Sequence, residues 1–371
     1  MVQRSSRGAV TLPQEYFTSV DLFQEETERI FMQDWLCAGR SSQIPNPGSY
    51  ILVQVLKESI IVTRDNAGHA RAHYNVCRHR GTQLCEETQG QFQGKIQCPY
   101  HKWTYSLEGD LIGAPNMTGG LDHASFALRP VAVTEWQGFL FLNLSKKPQP
   151  FENVFAPLMG LFQPWRLPEL QIAHTITYEI EANWKLIFQN YSECYHCPTV
   201  HPMLAKLTPY RSATNNFEDG PFLGGPMRIS VQGGSMTVDG QACASPLCDE
   251  GQDLVYYYTL FPSMFLSLHP DYVLVHRLER ISPNQTRIIC EWLFHPEEMS
   301  RTGFSPSSAV EFWDITNKQD WHVCELSQKG ISSRGYVPGP YSNLESLLAA
   351  FDREYLQRMN ALAPALETVG A

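Results

Sequence analysis

Two stretches of this sequence gather the residue types that hold metals. The first is split: "CRHRG" sets Cys77 and His79 two apart, and "CPYHKW" sets Cys98 and His101 three apart, with eighteen residues between His79 and Cys98. Two short loops, each giving one thiolate and one imidazole, can clamp a two-iron cluster asymmetrically, with Cys77 and Cys98 on one iron and His79 and His101 on the other. Exchanging two thiolates for neutral imidazoles raises the potential of such a cluster. Four N/S ligands would also satisfy zinc, although this pairing and separation match no zinc-finger spacing. The second stretch is "NYSECYHCPTVHP", Asn190 to Pro202, which packs Cys194, His196, Cys197 and His201 into eight positions. It admits three chemistries: a four-ligand zinc site, a Cys194-x-x-Cys197 dithiol, or an iron site that uses only the histidines together with a carboxylate.

If Cys77 and Cys98 supply the thiolates of the first site, His196 and His201 are left for another metal. Five positions on a straight helix turn the chain by about 500°, so the two side chains would point about 140° apart. Pro198 disfavours helix at Cys197 and interrupts the hydrogen-bond ladder, so a turn there is expected to bring His201 back beside His196. The dithiol reading is weaker, because Cys194 and Cys197 follow the helical run "NWKLIFQNYSE" and lie near its C-terminal end, where the dipole disfavours a thiolate. They are expected to be core cysteines, and Cys85 a packed free thiol.

The elements that must position these residues differ between the two halves. A helix is expected from Val20 to Trp35 with Ser19 as its N-cap. "YILVQV", "SIIVTR", "ARAHYNV", "YSLEGDLI" and "WQGFLFLNL" are short β-rich runs parted by turn signals, so residues 40–145 are expected to form a small antiparallel sheet domain. Prolines 148, 150, 157, 164 and 168 mark the passage out of it, with one short helix. Beyond them come "HTITYEIEA", a helix from about Asn183, and the strands "VYYYTLFP", "MFLSLHPDYVLVHRLERI" and "TRIICEWLFH". Helices return with "SSAVEFWDITNKQDWHVCELSQKGI" and "NLESLLAAFDREYLQRMNAL", while "FEDGPFLGGPMRISVQGGSMTVDGQ" reads as a long glycine-rich excursion. The expected class is α+β.

With 371 residues and 43% hydrophobic content the chain can build a large core. A net charge of −10 argues against a nucleic-acid surface. No apolar run approaches a membrane span and no export signal opens the sequence. A cytoplasmic protein whose ten cysteines are reduced thiols or metal ligands is therefore expected.

Together these motifs resemble the oxygenase component of a Rieske non-haem iron oxygenase. The pieces "VCRHRG", "ANWKL", "ECYHC", "DITN" followed by "QD", and "PGPYS" are most similar to the branch that oxidises quaternary ammonium compounds, the glycine betaine and carnitine monooxygenases. The resemblance implies an N-terminal helical segment (1–39), a Rieske [2Fe-2S] domain (40–145), and a helix-grip-like antiparallel catalytic domain covered by helices (146–371). It implies a [2Fe-2S] cluster on Cys77, His79, Cys98 and His101. It also implies a mononuclear Fe(II) on His196, His201 and a helix carboxylate, Asp320 or, failing that, Asp314, with O2 as co-substrate. Glu193 stands where most of the family has an aspartate that bridges to a cluster histidine of the neighbouring subunit.

No nicotinamide or flavin fingerprint is present. The resemblance accordingly implies a separate NAD(P)H-dependent flavin and iron-sulfur reductase, and a homotrimer. Arg78, Arg80, Lys95 and Lys102 beside the cluster could dock that donor. Tyr256 and Tyr258, on one face of their strand with Tyr257 on the other, are candidates to hold a methylated ammonium group. The implied reaction is hydroxylation of a quaternary or methylated amine with N-demethylation and loss of formaldehyde. The alternative is an aromatic-ring hydroxylating dioxygenase α subunit. A pure electron carrier would leave His196, His201 and Asp320 unexplained.

Overall fold

The computed structural model describes residues 9–117, 120–248 and 251–360. They form two compact units, Phe31–Gly160 and the residues up to Ile30 joined with those from Leu161 onward. The divisions thus fall at 30/31 and 160/161, where the sequence suggested 39/40 and 145/146.

The N-terminal segment begins with α1 (Glu15–Thr18) and α2 (Val20–Glu26). The Ser19 side chain accepts the Leu22 N–H and caps α2, as its spacing predicted. A π-helical turn, Thr27–Phe31, ends the run short of Trp35.

The smaller unit holds three antiparallel sheets. β1 (Leu36–Arg40), β9 (Ala132–Trp136) and β10 (Phe139–Asn143) form one, in the order β1-β10-β9. β2 (Ser49–Val55), β3 (Glu58–Arg64), β4 (Ala70–Tyr74) and β5 (Gln89–Gln91) form another, ordered β4-β3-β2-β5. The pairing of Leu36 with Leu142 and of Arg40 with Phe139 is what draws residues 36–40 into this unit. "WQGFLFLNL" is a hairpin, because Gln137 and Gly138 both take positive φ (52° and 73°) and turn the chain in two residues. β3 is buried on both faces: Ile60 and Val62 pack with Ile51, Leu140 and Leu142, while Ile61 packs with Tyr50, Trp103 and Tyr105. The last sheet, β6 (Ile96–Gln97), β7 (Thr104–Tyr105) and β8 (Leu111–Gly113), is small and carries one of the two metal loops. α3 (Phe151–Val154) closes the unit.

The larger unit is built on a six-stranded antiparallel sheet. In chain order its strands are β11 (Gln171–Ile180), β12 (Phe222–Arg228), β13 (Leu254–Leu260), β14 (Met264–Leu268), β15 (Val273–Ser282) and β16 (Gln285–Phe294). Their spatial order is β11-β16-β15-β14-β13-β12. Two expectations change here. "MFLSLHPDYVLVHRLERI" is not one strand but the hairpin β14–β15, since Pro270 has no N–H for a ladder and the chain turns between His269 and Tyr272. The glycine-rich excursion hides the edge strand β12, whose Gly224-Gly225-Pro226 run lacks the alternation that marks a strand. Those glycines are needed for close approach: a Cβ on Gly224 would lie 2.0 Å from the Tyr257 carbonyl oxygen.

Over one face of this sheet lie α4 (Trp184–Tyr191), α5 (Cys197–Val200), α6 (Pro202–Leu207) and, after the short α7 (Pro296–Met299), the long α8 (Ser307–Ile331). The 25-residue α8 matches its predicted limits. α9 (Ser346–Met359) ends at Asn360, in left-handed geometry; Ala361 and Leu362, the end of the expected helical run, lie outside the described residues.

Candidate metal centres

In the smaller unit the two metal loops close in the same way. The Cys77 N–H donates to Thr82 O, and the Gly81 N–H returns to Cys77 O. In the other loop the Cys98 N–H donates to Trp103 O, and the Lys102 N–H returns to Cys98 O. The fourth residue after each cysteine, Gly81 or Lys102, is left-handed (φ 76° and 61°), which folds the loop back over its own thiol. Each loop therefore presents a cysteine inward and a histidine outward. Cys77 and Cys98 are 2% and 1% exposed within the core of Trp103, Tyr105 and Leu107. His79 and His101 are half-buried, edge to face with centroids 4.7 Å apart, and His79 is stacked on Trp103.

The donor set fits a cluster bound through both sulfurs and both imidazoles. Burial pushes the Cys77 thiol up, so a thiolate there requires a cation beside it. The Tyr105 hydroxyl accepts the Arg78 N–H (3.0 Å), which leaves its own proton for Cys77 Sγ at 3.3 Å. Tyr105 was not foreseen; a tyrosine seven residues beyond Cys98 has no spacing that links it to sulfur. Cys85 is a free thiol, pushed up to about 12 by burial, as expected of a packed cysteine.

In the larger unit the opening motif breaks into short pieces. Asn183 caps α4, which stops at Tyr191, and the chain turns through Ser192–Tyr195 before α5 starts. Pro198 lies in the first turn of α5, where its missing N–H costs nothing, so it opens a helix rather than breaking one. The predicted convergence of the histidines occurs because the one-turn α5 ends at His201, which is non-helical (φ −121°, ψ 72°), rather than through a break at Pro198; the chain also turns just before His196. His196 stands at the start of the one-turn α5 and His201 at its end, with Nε2 atoms 3.2 Å apart. The same turn overturns the expectation of two separate core thiols. Cys197 N–H reaches Cys194 O, and the pair is joined as a disulfide, Cα–Cα 4.9 Å.

α8 brings the third donor. Asp320 Oδ1 lies 2.8 Å from His201 Nε2 and 3.2 Å from His196 Nε2. Donor separations of about 3 Å are those of one face of an octahedron with bonds near 2.1 Å, which leaves the opposite face open. Asp314 is turned away, accepting from the Tyr178 hydroxyl (2.8 Å) and pairing with Lys318. Both imidazoles are held by their far nitrogens. His196 Nδ1 faces Glu193 Oε1 at 2.5 Å, and His201 Nδ1 faces Gln319 Oε1 at 2.8 Å, so each Nε2 keeps a lone pair for a metal. Gln319 is a residue that the sequence did not single out.

Charge in this group favours a cation. Burial alone would lower His196, but hydrogen bonds with Asp320 and Glu193 prevail and push it up to about 10. Burial would raise Asp320, and the two histidines outweigh it, leaving the carboxyl below its usual range. A metal dication would replace the imidazolium proton between the same carboxylates.

The donors open into a cavity that, counted with its solvent-open mouth, encloses about 780 Å3. Its aromatic wall is Tyr191, Tyr257 and Trp313, with Tyr257 centred between the other two at 6.1 and 6.2 Å. Tyr256 and Tyr258 do not line it. Alternation along β13 sends them to the other face of the sheet, where Tyr256 meets Trp165 and Tyr258 meets Phe162, so the expected pair is corrected to the residue between them.

Residues 34–132 match the Rieske [2Fe-2S] domain and residues 167–361 the ring hydroxylating alpha subunit (catalytic domain). The glycine betaine monooxygenase oxygenase subunit of Chromohalobacter salexigens is 31% identical, over 99% of this chain and 90% of that protein. The carnitine monooxygenase oxygenase subunit of Escherichia coli K12 is 29% identical over 88% and 86%. A solved quaternary ammonium Rieske monooxygenase superposes with a TM-score of 0.81 at 25% identity, covering 97% of this chain and 99% of its own. Likeness along the whole length, with one donor set in each unit, makes this chain a member of the Rieske non-haem iron oxygenases, an oxidoreductase oxygenase component that uses a [2Fe-2S] cluster, a mononuclear iron and O2.

Proposed function

We propose that this chain is the oxygenase component of a monooxygenase that hydroxylates an N-methyl group of a small quaternary or methylated amine. The observation that carries the reading is the convergence of His196, His201 and Asp320 on a cavity walled by Tyr191, Tyr257 and Trp313. Ring faces attract a methylated ammonium, which cannot donate a strong hydrogen bond and has no other ready partner. The relatives described above, named for glycine betaine and carnitine, support the same class.

Cys77, His79, Cys98 and His101 would hold the cluster, and His196, His201 and Asp320 the iron. When bound, the cluster stores single electrons and the iron activates O2. The chain's own residues then have distinct tasks. Glu193 and Gln319 fix the imidazole tautomers, and Glu193 is the candidate bridge to a cluster histidine of a neighbouring subunit in a homotrimer. The aromatic wall orients one N-methyl group toward the donors. In balance, R–N(CH3)3+ with O2, two electrons and two protons gives R–N(CH3)2CH2OH+ and water. The carbinolamine then loses formaldehyde and a proton to leave R–N(CH3)2. The electrons come from NAD(P)H through a separate flavin and iron-sulfur reductase.

The test is formaldehyde release from trimethylammonium compounds by the iron-loaded protein with a supplied reductase. Stoichiometric formaldehyde per O2 is expected. Release from no methylated amine, with dihydroxylation of an aromatic hydrocarbon, would replace this reading with the ring dioxygenase. No helix among the described residues is long and apolar enough to cross a membrane.

A further inference from the structure

Resting on that reading, we infer that the amine accepted here carries a neutral hydrogen-bonding tail, a hydroxyl or a carbonyl, and no carboxylate. The cavity offers an anion no cationic partner. Among the described residues that line it there is no lysine or arginine; its carboxylates and imidazoles are Glu193, Asp320, His196 and His201. The cations near these segments look elsewhere. Lys206, Arg211 and Arg228 are exposed, Lys318 pairs with Asp314, and Arg353 pairs with Asp219. The two protein carboxylates are matched by the iron that the donors would hold, so a substrate carboxylate would meet no guanidinium or ammonium among the lining residues to replace its lost hydration, and an anion is disfavoured.

Unsatisfied polar groups belong to the same cavity wall. Thr208 and Thr259 line the cavity at 1% and 2% exposure, and the hydroxyl of neither has a partner in the protein; the buried hydroxyl of Tyr257 also has none. Buried hydroxyls are rarely left unpaired, and a site built with them rejects ligands that cannot return the hydrogen bond. Thr259 follows Tyr257 by two residues on β13, so both point from one face of the sheet. A methylated ammonium against the Tyr257 ring would thus leave its tail to reach Thr259 and, elsewhere on the cavity wall, Thr208. A hydroxyl or carbonyl can both meet them and stay neutral.

The experiment compares choline and (2-hydroxypropyl)trimethylammonium with glycine betaine and γ-butyrobetaine, using the full chain. Binding is read by calorimetry and turnover by formaldehyde release with the reductase. The hydroxyl compounds are expected to bind at least tenfold more tightly and to have the higher kcat/KM. Thr259→Val should weaken choline more than tetramethylammonium, and Thr259→Lys should shift preference toward the carboxylates. Equal or tighter binding of glycine betaine or γ-butyrobetaine by the unaltered protein would overturn this inference and leave the demethylase reading standing. Binding of none of the trimethylammonium compounds would overturn both.

Discussion

At the scale of single residues, ligand geometry separates Asp320 from Asp314 although both sit on α8. They are six positions apart, about 240° around the helix, so only one can face the histidines. Asp320→Ala should lower iron from three to two atoms per chain and leave the visible spectrum of the cluster intact, whereas Asp314→Asn should keep all three. Loss of the third iron in the Asp314 variant alone would reverse the assignment. Gln319 would act on an iron held by His201 only through that imidazole, and removing such a partner costs about 10 to 100-fold in metal affinity. Gln319→Leu should therefore weaken iron binding by that factor in a competition titration with a chelator, and Gln319→Glu should restore much of it. That the candidate cysteines and histidines come together was legible because a donor set leaves a spacing in sequence. Gln319, Tyr105 and Tyr257 leave none. The alternation of "VYYYTLF" fixes that Tyr257 opposes its neighbours, but only the packing of the sheet says which face meets the cavity.

Elements were read best where periodicity was uninterrupted, as in α8 and β16, and worst where a special residue stood in for it. β12 was missed because two glycines and a proline replace the alternating apolar residues. The glycines let it lie against Tyr257, with Leu223, Gly225 and Met227 on the cavity side. Gly224 combines φ +124° with 2.0 Å of space for a Cβ against backbone, so Gly224→Ala must push the edge strand away. The expected result is a loss of roughly 2 kcal/mol or more in stability, measured by urea unfolding, with weakened binding of trimethylammonium ligands. Unchanged stability and binding would show that β12 can move freely, and the cavity wall would need another account. The stretch from Ser192 to His201 shows a different limit. The sequence suggests a helix that runs on to a break at Pro198, whereas α4 stops early at Tyr191 and the Cys194–Cys197 disulfide holds the stretch as a compact turn.

For the molecule as a whole, charge placement decides two properties. Residues 40–145 contain nine Lys/Arg and eight Asp/Glu in a chain of net −10; Arg80 and Lys102, next in sequence to His79 and His101, are exposed, as is Lys95 of the same unit. Reversing these three to Glu should lower kcat/KM for the reductase about tenfold at low salt, with the difference shrinking as salt rises; unchanged kinetics would remove this face as the docking site. Two buried carboxyls in the larger unit, Glu26 and Asp352, make stability depend on pH. Glu26 of α2 meets Lys185 of α4, Arg280 of β15 and the Tyr355 hydroxyl of α9. Nearby, Asp352 accepts from Gln189 and Tyr341, each at 2.7 Å. Burial would raise Glu26, yet Lys185 and Arg280 hold it below its usual range, so its contribution is present above about pH 4.5 and is lost on acidification. Asp352 has the opposite sign: burial outweighs its hydrogen bonds and pushes it up to about 7. Between about pH 4 and pH 7 the folded chain keeps a proton that the unfolded chain has released, so stability falls across that window and is level above it. From pH 5 to pH 8 this one group should cost about 2 to 3 kcal/mol. Asp352→Asn cannot titrate, so its urea midpoint, followed by tryptophan fluorescence, should drop less over that range than that of the unaltered protein. The same drop in both would mean that Asp352 is ionised throughout and that Lys185 already neutralises it.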